Sequence, residues 1–366
     1  MLAGVWQNFK TERVVGGRLQ AMAADWAALS QRAQEPVGFQ SAGFMLPIMA
    51  QSGGAGLETV RHDGRLLMAI ASQPAFGFDR VLPSELAASG LPEVDATLAK
   101  EAVLAFINGR KRPFLFEAIE QNSALLGQLE AVAPHLRVMK AWQRAALRLD
   151  GSFDEWLASN FDHKRRKELK RLRNRLAEQG DLKFESLNQF SDLPRFVDGL
   201  LELEANGWKG KRGTAIASNE AAAQSFWQIC ENLQATGKLR FWQLTLNGKV
   251  IASLFGKIEG KRGWIVKIAY DEAFARFSPG VLLIINVTQA LFAEGGVRLV
   301  DSCAIPGHPM IDRIWRERIA MVDVLIAPAH VSGFRFAAVG AAIKLHSDLR
   351  ERAKSLFYAI TKRKRS

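Results

Sequence analysis

The sequence predicts an α/β protein made of two copies of one unit, and three observations carry that expectation. First, residues 62–72 read HDGRLLMAIAS and residues 246–256 read LNGKVIASLFG, so Asp63-Gly64 and Asn247-Gly248 each precede an aliphatic run. Such pairs suit two-residue hairpin turns, whose central residues both need positive φ. Second, the strands ahead of the turns match in kind, AGLETVRH in one case and LRFWQLTL in the other. Third, each hairpin is followed by an apolar helix, then glycine with basic residues, then a strand. The first such run is DATLAKEAVLAFINGRKRPFLFEAIE and the second is SPGVLLIINVTQALFAEGGVRLVDSCA. Elements recurring in one order at matching offsets point to two like units.

The stretch MKAWQRAALRLDGSFDEWL, residues 139–157, separates the copies, giving units at 1–145 and 146–330 and a tail at 331–366. The second unit opens with a basic helix, RRKELKRLRNRLAEQ, in which Leu169, Leu172 and Leu176 share one face. Lys164, Arg165, Lys167, Arg171, Arg173 and Arg175 spread over the others. The longest apolar run, GVLLIINVTQALFA, is closed by Gly280 and Glu294. It is shorter than the roughly 20 residues a membrane span requires, and reads as a buried helix. In the tail, Phe336, Val339, Ile343, Leu349, Ala353, Leu356 and Ile360 trace a helical stripe that ends in TKRKRS.

The composition, 48% hydrophobic and 23% charged over 366 residues, is that of an ordinary globular protein. The net charge of +12 is not spread evenly: residues 161–180 carry +5 and residues 334–366 carry +7, which is the whole excess. That excludes a uniformly basic nucleic-acid binder and leaves two basic appendages on a neutral body. The first is either a solvated face or a device that recruits an anionic acceptor. The second is either a docked helix or a basic amphipathic helix on an anionic membrane surface. Two cysteines, Cys230 and Cys303, make no disulfide framework, so a reducing cytoplasm is expected. The start, MLAGVWQNFKTERVVGG, has no long apolar core, so no secretory signal is expected. None of the six histidines has zinc-ligand spacing, and neither a Walker loop nor a dinucleotide fingerprint occurs. Cys303 reads as a packing residue in a buried strand.

One stretch points to a ligand. In YDEAFARFSPGVLL, Arg276, Ser278, Pro279 and Gly280 stand where an apolar helix begins. Free amides and the positive dipole end hold anions at such a place. Equally, Ser278 suits a helix cap and Pro279 the first helical position. The first copy has no Ser-Pro-Gly before its helix, so only the second is equipped for an anion.

In the second unit the basic helix is followed by GWKGKRGTAI, the hairpin FWQLTLNGKVIASLFG, KIAYDEAFARFSPGVLL and GVRLVDSCAIPGHP. With these motifs the chain resembles the CelD/BcsL cellulose-biosynthesis acetyltransferases, a branch of the GNAT superfamily related to FemAB-type transferases. The resemblance spans residues 26–326 and is strongest over 164–315. It implies tandem GNAT-like units with mixed central sheets flanked by helices, and acetyl-coenzyme A or another acyl-coenzyme A as co-substrate. In that arrangement the strand WIVKIAY splays from VRLVDSC, and the pantetheine arm lies in the gap against backbone near Ile268 and Ala269. The pyrophosphate rests on the amides of Gly280, Val281 and Leu282, with Ser278 in the loop and Arg276 adding a charge. Two departures stand out: Arg276 is followed by one glycine only, and IPGHPMIDRIWRER replaces the family's tyrosine-lysine pair.

Acyl transfer from a thioester to an amine needs a proton acceptor and an oxyanion donor. By the resemblance Asp271, at the end of the central strand, is the base, or else a residue turning the chain. His308, in the loop beyond the last strand, is its rival. Tyr270 would protonate the leaving thiolate or simply pack. Asp301 would orient substrate or cap its strand, while Trp208 and Lys209 would line the acceptor cleft. The implied activity is a cytoplasmic N-acyltransferase that modifies a sugar or polysaccharide precursor by direct attack on the thioester. Two alternatives remain: a FemAB-type transferase using charged transfer RNA, and a non-catalytic scaffold of a polysaccharide system.

Overall fold

The structure, a computed structural model, describes residues 8–36 and 38–363, apart from the side chains of 351 and 354–363. The first half runs β1 (Phe9–Val14), α1 (Arg18–Ala21), α2 (Ala23–Ser30), α3 (Ala42–Ala50), β2 (Gly56–His62) and β3 (Arg65–Pro74). It continues with β4 (Asp79–Val81), β5 (Glu93–Val94), α4 (Ala99–Asn108), β6 (Phe114–Glu120), α5 (Ala124–Val132) and β7 (His135–Arg148). The second half runs α6 (Phe153–Asn160), α7 (His163–Ala177), β8 (Leu182–Ser186), α8 (Leu193–Asn206), α9 (Trp208–Lys211) and α10 (Glu220–Ala235). Then come β9 (Leu239–Leu246), β10 (Lys249–Glu259), β11 (Arg262–Tyr270), α11 (Pro279–Glu294), β12 (Leu299–Asp301), β13 (Glu317–Ala327) and α12 (Gly333–Arg363).

Both hairpin turns form as their residues require. Asp63 and Gly64 have φ of 49° and 80°, and Asn247 and Gly248 have φ of 51° and 79°, the left-handed pair that matches strand twist. The two halves share one mixed sheet in the order β1-β2-β3-β4-β6-β13-β7-β12-β11-β10-β9-β8, with β5 on β3. The order holds an exchange. β13, from the second half, pairs with β6 of the first, while β7, from the first half, pairs with β12 of the second. β13 and β7 then pair with each other along eleven residues. The boundary expected at 145/146 therefore falls inside β7, where the halves join. The exchange reaches the cores: Val322, Val324 and Ile326 of β13 pack with Phe106, Phe116 and Leu129 of the first half. Ala145 and Leu147 of β7 pack with Leu254, Leu283 and Val287 of the second.

Helices cover both faces of the sheet. On one face α2, α3, α8 and α10 bury Trp26, Phe44, Phe196 and Phe226 against β2, β3, β9 and β10, so this layer belongs to both halves. On the other, α4 and α5 cover the first half and α6, α7 and α11 the second. In α7, Leu169 and Leu176 are buried while the basic residues are exposed, and the helix packs beside the 3-10 turn Glu272–Phe277. The start of α12 is docked, with Phe336, Val339 and Ile343 against Leu115 and Leu325. Leu345 and Leu349 further along are exposed. The side chains of Leu356 and Ile360 lie outside the described residues. No helix among the described residues is long and apolar enough to cross a membrane.

Candidate functional site

β11 and β12 run parallel but pair at three positions only, Arg262↔Leu299, Gly263↔Val300 and Trp264↔Asp301. Beyond Trp264 they part. The chain after β12 follows β7, with the Ser302 amide donating to the Ala145 carbonyl at 3.1 Å, whereas β11 stays with β10 to Tyr270. Ile268 and Ala269 pair with Leu254 and Ser253 on one side, while their other edge faces the gap. An open strand edge inside a sheet is a template for an extended ligand that carries amide groups.

A β-bulge lies at the mouth of this gap. Lys267 opposes Phe255 and Ile265 opposes Gly256, which leaves Val266 without a partner on β10. The extra residue changes which way the next side chain points. Ile265 and Ile268 face the α11 layer, while Val266 and Ala269 face the α8 and α10 layer. Lys267 follows Val266 onto that second face. There its Nζ stands 3.2 Å from Glu204 Oε1 of α8 and 3.9 Å from Glu85 Oε2 of the loop after β4. Glu204 Oε1 also meets Lys209 Nζ at 2.8 Å, and Oε2 accepts from the Ile216 amide at 2.9 Å. Burial would raise the Glu204 carboxyl, but Lys267, the Ile216 amide and Lys209 outweigh it and hold the group below its ordinary range. Burial pushes the Lys267 ammonium down, and the positive charge of Lys209 adds to that shift; the opposing pull of Glu204 does not cancel it. Trp208 and Lys209, expected in an acceptor cleft, line a cavity of ≈ 50 Å³ with Glu204, Ile268, Ala269 and Tyr270. The structure thus brings these residues to the parted strand. Glu204, Lys267 and the bulge were missed in the sequence; a lysine inside WIVKIAY was the available signal.

The loop before α11 is narrower as an anion cradle than expected. Pro279 occupies the first helical position, but Ser278 is left-handed (φ 53°) and makes no side-chain cap. Its carbonyl accepts from the amides of Val281 at 3.0 Å and Leu282 at 3.1 Å. Two of the three expected anion-binding amides are therefore engaged. Pro279 has none to give, and among the described residues the Gly280 amide is the one left unbonded in that turn. A Cβ at Gly280 would lie 3.3 Å from Tyr270 Cδ1 and 3.4 Å from Met310 Sδ, so glycine lets this turn sit against both. Arg276 is exposed, with its guanidinium 4.7 Å from the Phe277 ring, and the basic face of α7 is adjacent.

The remaining candidates have other work. Asp271 accepts from Lys249 Nζ at 2.8 Å and from the Ala273 amide at 3.0 Å, capping the 3-10 turn. The Lys249 contact holds its carboxyl below the ordinary range, the wrong direction for a base. His308 Nδ1 accepts from the amides of Met310 and Ile311 at 3.3 and 3.4 Å, which places the ring proton on Nε2. Burial lowers its pKa as well, so the imidazole stays a neutral turn cap. Asp301 is buried, 3.2 Å from Arg144 Nη1, and accepts from the Cys303 amide at 2.8 Å, which ties β12 to β7. Cys303 is not in a strand. It follows β12 with φ of 53°, and burial and Asp301 push its thiol well above the ordinary range.

The first half has the same parting with a different ending. β4 and β6 pair in parallel at Asp79↔Phe114 and Arg80↔Leu115, then diverge. The chain soon returns, with the Gly90 amide donating to the Glu117 carbonyl at 2.9 Å. Ahead of α4, the buried Asp95 accepts from the Thr97 amide and from Arg32 and Arg65. The loop ahead of α4 thus carries a carboxylate that is already paired with two arginines.

Residues 163–307 match the family model described as an acetyltransferase (GNAT) domain. A comparison with curated proteins gives no match. Among solved structures the chain is similar to the C-terminal domain of a candidate lysylphosphatidylglycerol synthetase from Agrobacterium fabrum. The TM-score is 0.56 at 14% identity, over 89% of this chain and 97% of that one. It is also similar to L-PGS from Bacillus licheniformis, with a TM-score of 0.53 at 13% identity over 90% and 97% of the two chains. For FemX the TM-score is 0.52 at 11% identity, over 86% and 96%. At these identities the likeness is one of fold. The second half carries a GNAT acetyltransferase domain, within a mixed α/β fold of the kind these structures share.

Proposed function

We propose that the protein is an acyl-coenzyme A-dependent N-acyltransferase that modifies an amine on a sugar or polysaccharide precursor, in the manner of the CelD/BcsL enzymes it resembles. One observation carries the reading: the edge of β11 opens beyond Trp264, beside a bulge and next to the start of α11. An extended pantetheine arm offers amides to such an edge. The Gly280 amide, the dipole of α11, Arg276 and the basic face of α7 suit the phosphates. The acceptor then enters from the other face, past Trp208 and Lys209. In this reading 146–330 is the donor-binding unit and 1–145 completes the cleft, while the tail that begins at 331 is docked on the body through Phe336, Val339 and Ile343.

The test is titration calorimetry with coenzyme A. One molecule per chain is expected, because the first half has no Ser-Pro-Gly before its helix α4. A stoichiometry of two would show a second working site, and no binding would remove the proposal. Because Asp271 is engaged by Lys249, Asp271→Asn is expected to leave thiol release within a few-fold of the parent. A loss of about a hundredfold, the scale of general-base removal, would restore Asp271 as the base.

A second reading rests on α7, whose basic residues are exposed beside the Glu272–Phe277 turn. There the chain uses an aminoacyl-transfer RNA as donor. Retention on immobilised transfer RNA that is lost as salt rises, without coenzyme A binding, favours that reading.

A further inference from the structure

Lys267 is a buried charge that has no buried carboxylate to itself. Its side chain is 6% exposed, between the apolar residues Ile265, Val266, Ile268 and Ala269 of the same strand. Its partner Glu204 also pairs with Lys209 at 2.8 Å. One buried carboxylate is thus shared by two lysines, while Glu85, at 3.9 Å, is largely exposed. Burying an ammonium without a carboxylate of its own costs several kcal/mol, and an apolar side chain of the same length would fill the space without that cost. The location is equally specific. The bulge at Val266 turns Lys267 away from the α11 layer and onto the α8 face, beside Glu204 and Lys209 of the small cavity, at the point where β11 has just left β12.

We infer that Lys267 is the general base of acyl transfer, its neutral amine taking a proton from the acceptor nitrogen, with Glu204 and Lys209 positioning it. This rests on the acyltransferase reading above. The acceptor nitrogen donates its electron pair to the thioester carbonyl carbon, forming the C–N bond, and gives one N–H proton to Lys267 Nζ. The C–S bond breaks with its electron pair on sulfur, and the sulfur takes that proton back from the Lys267 ammonium. The products are an amide and a free thiol, and Lys267 returns to its starting state.

The groups facing Lys267 are Glu204 from α8, Lys209 from α9 and Glu85 from the loop after β4. Burial and Lys209 favour the neutral amine, while the two carboxylates oppose it, and the net direction is downward. Arginine separates a base from a structural partner. Lys267→Arg keeps a cation beside Glu204, but a guanidinium does not lose its proton.

Two measurements test the inference on the full chain. In the first, carbon-13 at the lysine ε position is followed by NMR against pH, the Lys267 signal being the one missing from Lys267→Arg. It should lose its charge below about pH 10, under the ordinary lysine value of about 10.4. A signal that stays charged beyond pH 10 overturns the proposal. This arm needs neither coenzyme A nor an acceptor, so its failure is distinguishable from a failure of the acyltransferase reading. In the second, thiol release from acetyl-coenzyme A is measured with a panel of amino sugars and primary amines. Lys267→Arg should lose about a hundredfold or more in kcat, with coenzyme A affinity unchanged within twofold. A kcat within a few-fold of the parent overturns it. Should the arginine variant not fold, Lys267→Met fills the same space and is expected to show the same loss.

Discussion

Gly280→Asp should abolish coenzyme A binding while leaving the protein folded. The substituted carboxylate would sit on the second residue of α11, whose amide is the one left unbonded in that turn. Gly280 is buried, so the side chain costs some stability there, but an acidic residue in a first helical turn is favourable to the helix and offsets part of that cost. A pyrophosphate brought to the same turn would meet a like charge at about 4 Å, which costs about 4 kcal/mol at the effective dielectric of a protein surface. That corresponds to roughly a thousandfold in Kd. Charge and bulk are separable. Gly280→Ala adds only a Cβ, 3.3 Å from Tyr270 Cδ1 and 3.4 Å from Met310 Sδ, so the ring and the thioether must each give by a few tenths of an ångström. The alanine variant should therefore bind within about tenfold of the parent, a cost of up to about 1.4 kcal/mol. Calorimetry on both variants, with circular dichroism as the check on folding, decides the matter. An aspartate variant that binds normally removes the loop from the donor site.

Whatever depended on neighbouring residues could be read from the sequence. Asp63-Gly64 and Asn247-Gly248 announce their turns because the required φ values are a local matter. Leu169, Leu172 and Leu176 announce the buried face of α7 because helical spacing is local too. The limits of locality appear at Ser278. The residue type suits a helix cap, but the 3-10 turn just before it drives the backbone left-handed, and the carbonyl caps instead of the side chain. At Lys267 the alternation of a regular strand puts the side chain beside Ile265, in the α11 layer. The bulge at Val266 reverses that, and a bulge is a feature of the pairing between two strands, which spacing along one of them does not display. Glu204 lies 63 positions from Lys267 and Glu85 lies 182 positions away, so the cluster exists only once α8 and the β4 loop are in place. Asp271 and His308 were attractive as isolated residues of the right chemistry. Each proves to be engaged by groups that a motif does not display, Lys249 in one case and two backbone amides in the other.

The strand exchange lay beyond the sequence for the same reason, and it carries the largest stability effect expected of this chain. Val324→Asp, in the last strand of the second half, should unfold the first half together with the second. Val324 is fully buried between β6 and β7, in a cluster with Phe106, Phe116 and Leu129. Losing the valine forfeits about 1.5–3 kcal/mol of apolar burial. Even protonated, the new carboxyl leaves an unsatisfied polar group that costs about 1–3 kcal/mol more. A total of about 3–6 kcal/mol is comparable with the whole stability of many domains, about 5–15 kcal/mol. The damage should not stay in one half, because β13 pairs with β6 on one side and along eleven residues with β7 on the other. β7 in turn supplies Ala145 and Leu147 to the second core. Hydrogen exchange separates the outcomes: amides of β2 and β3 report the first half and those of β9 and β10 the second. Both sets should lose protection together in the variant. Protection kept in β9 and β10 while β2 and β3 exchange freely would mean that the halves fold independently, and that the exchanged strands join two finished units instead of completing each other's sheet.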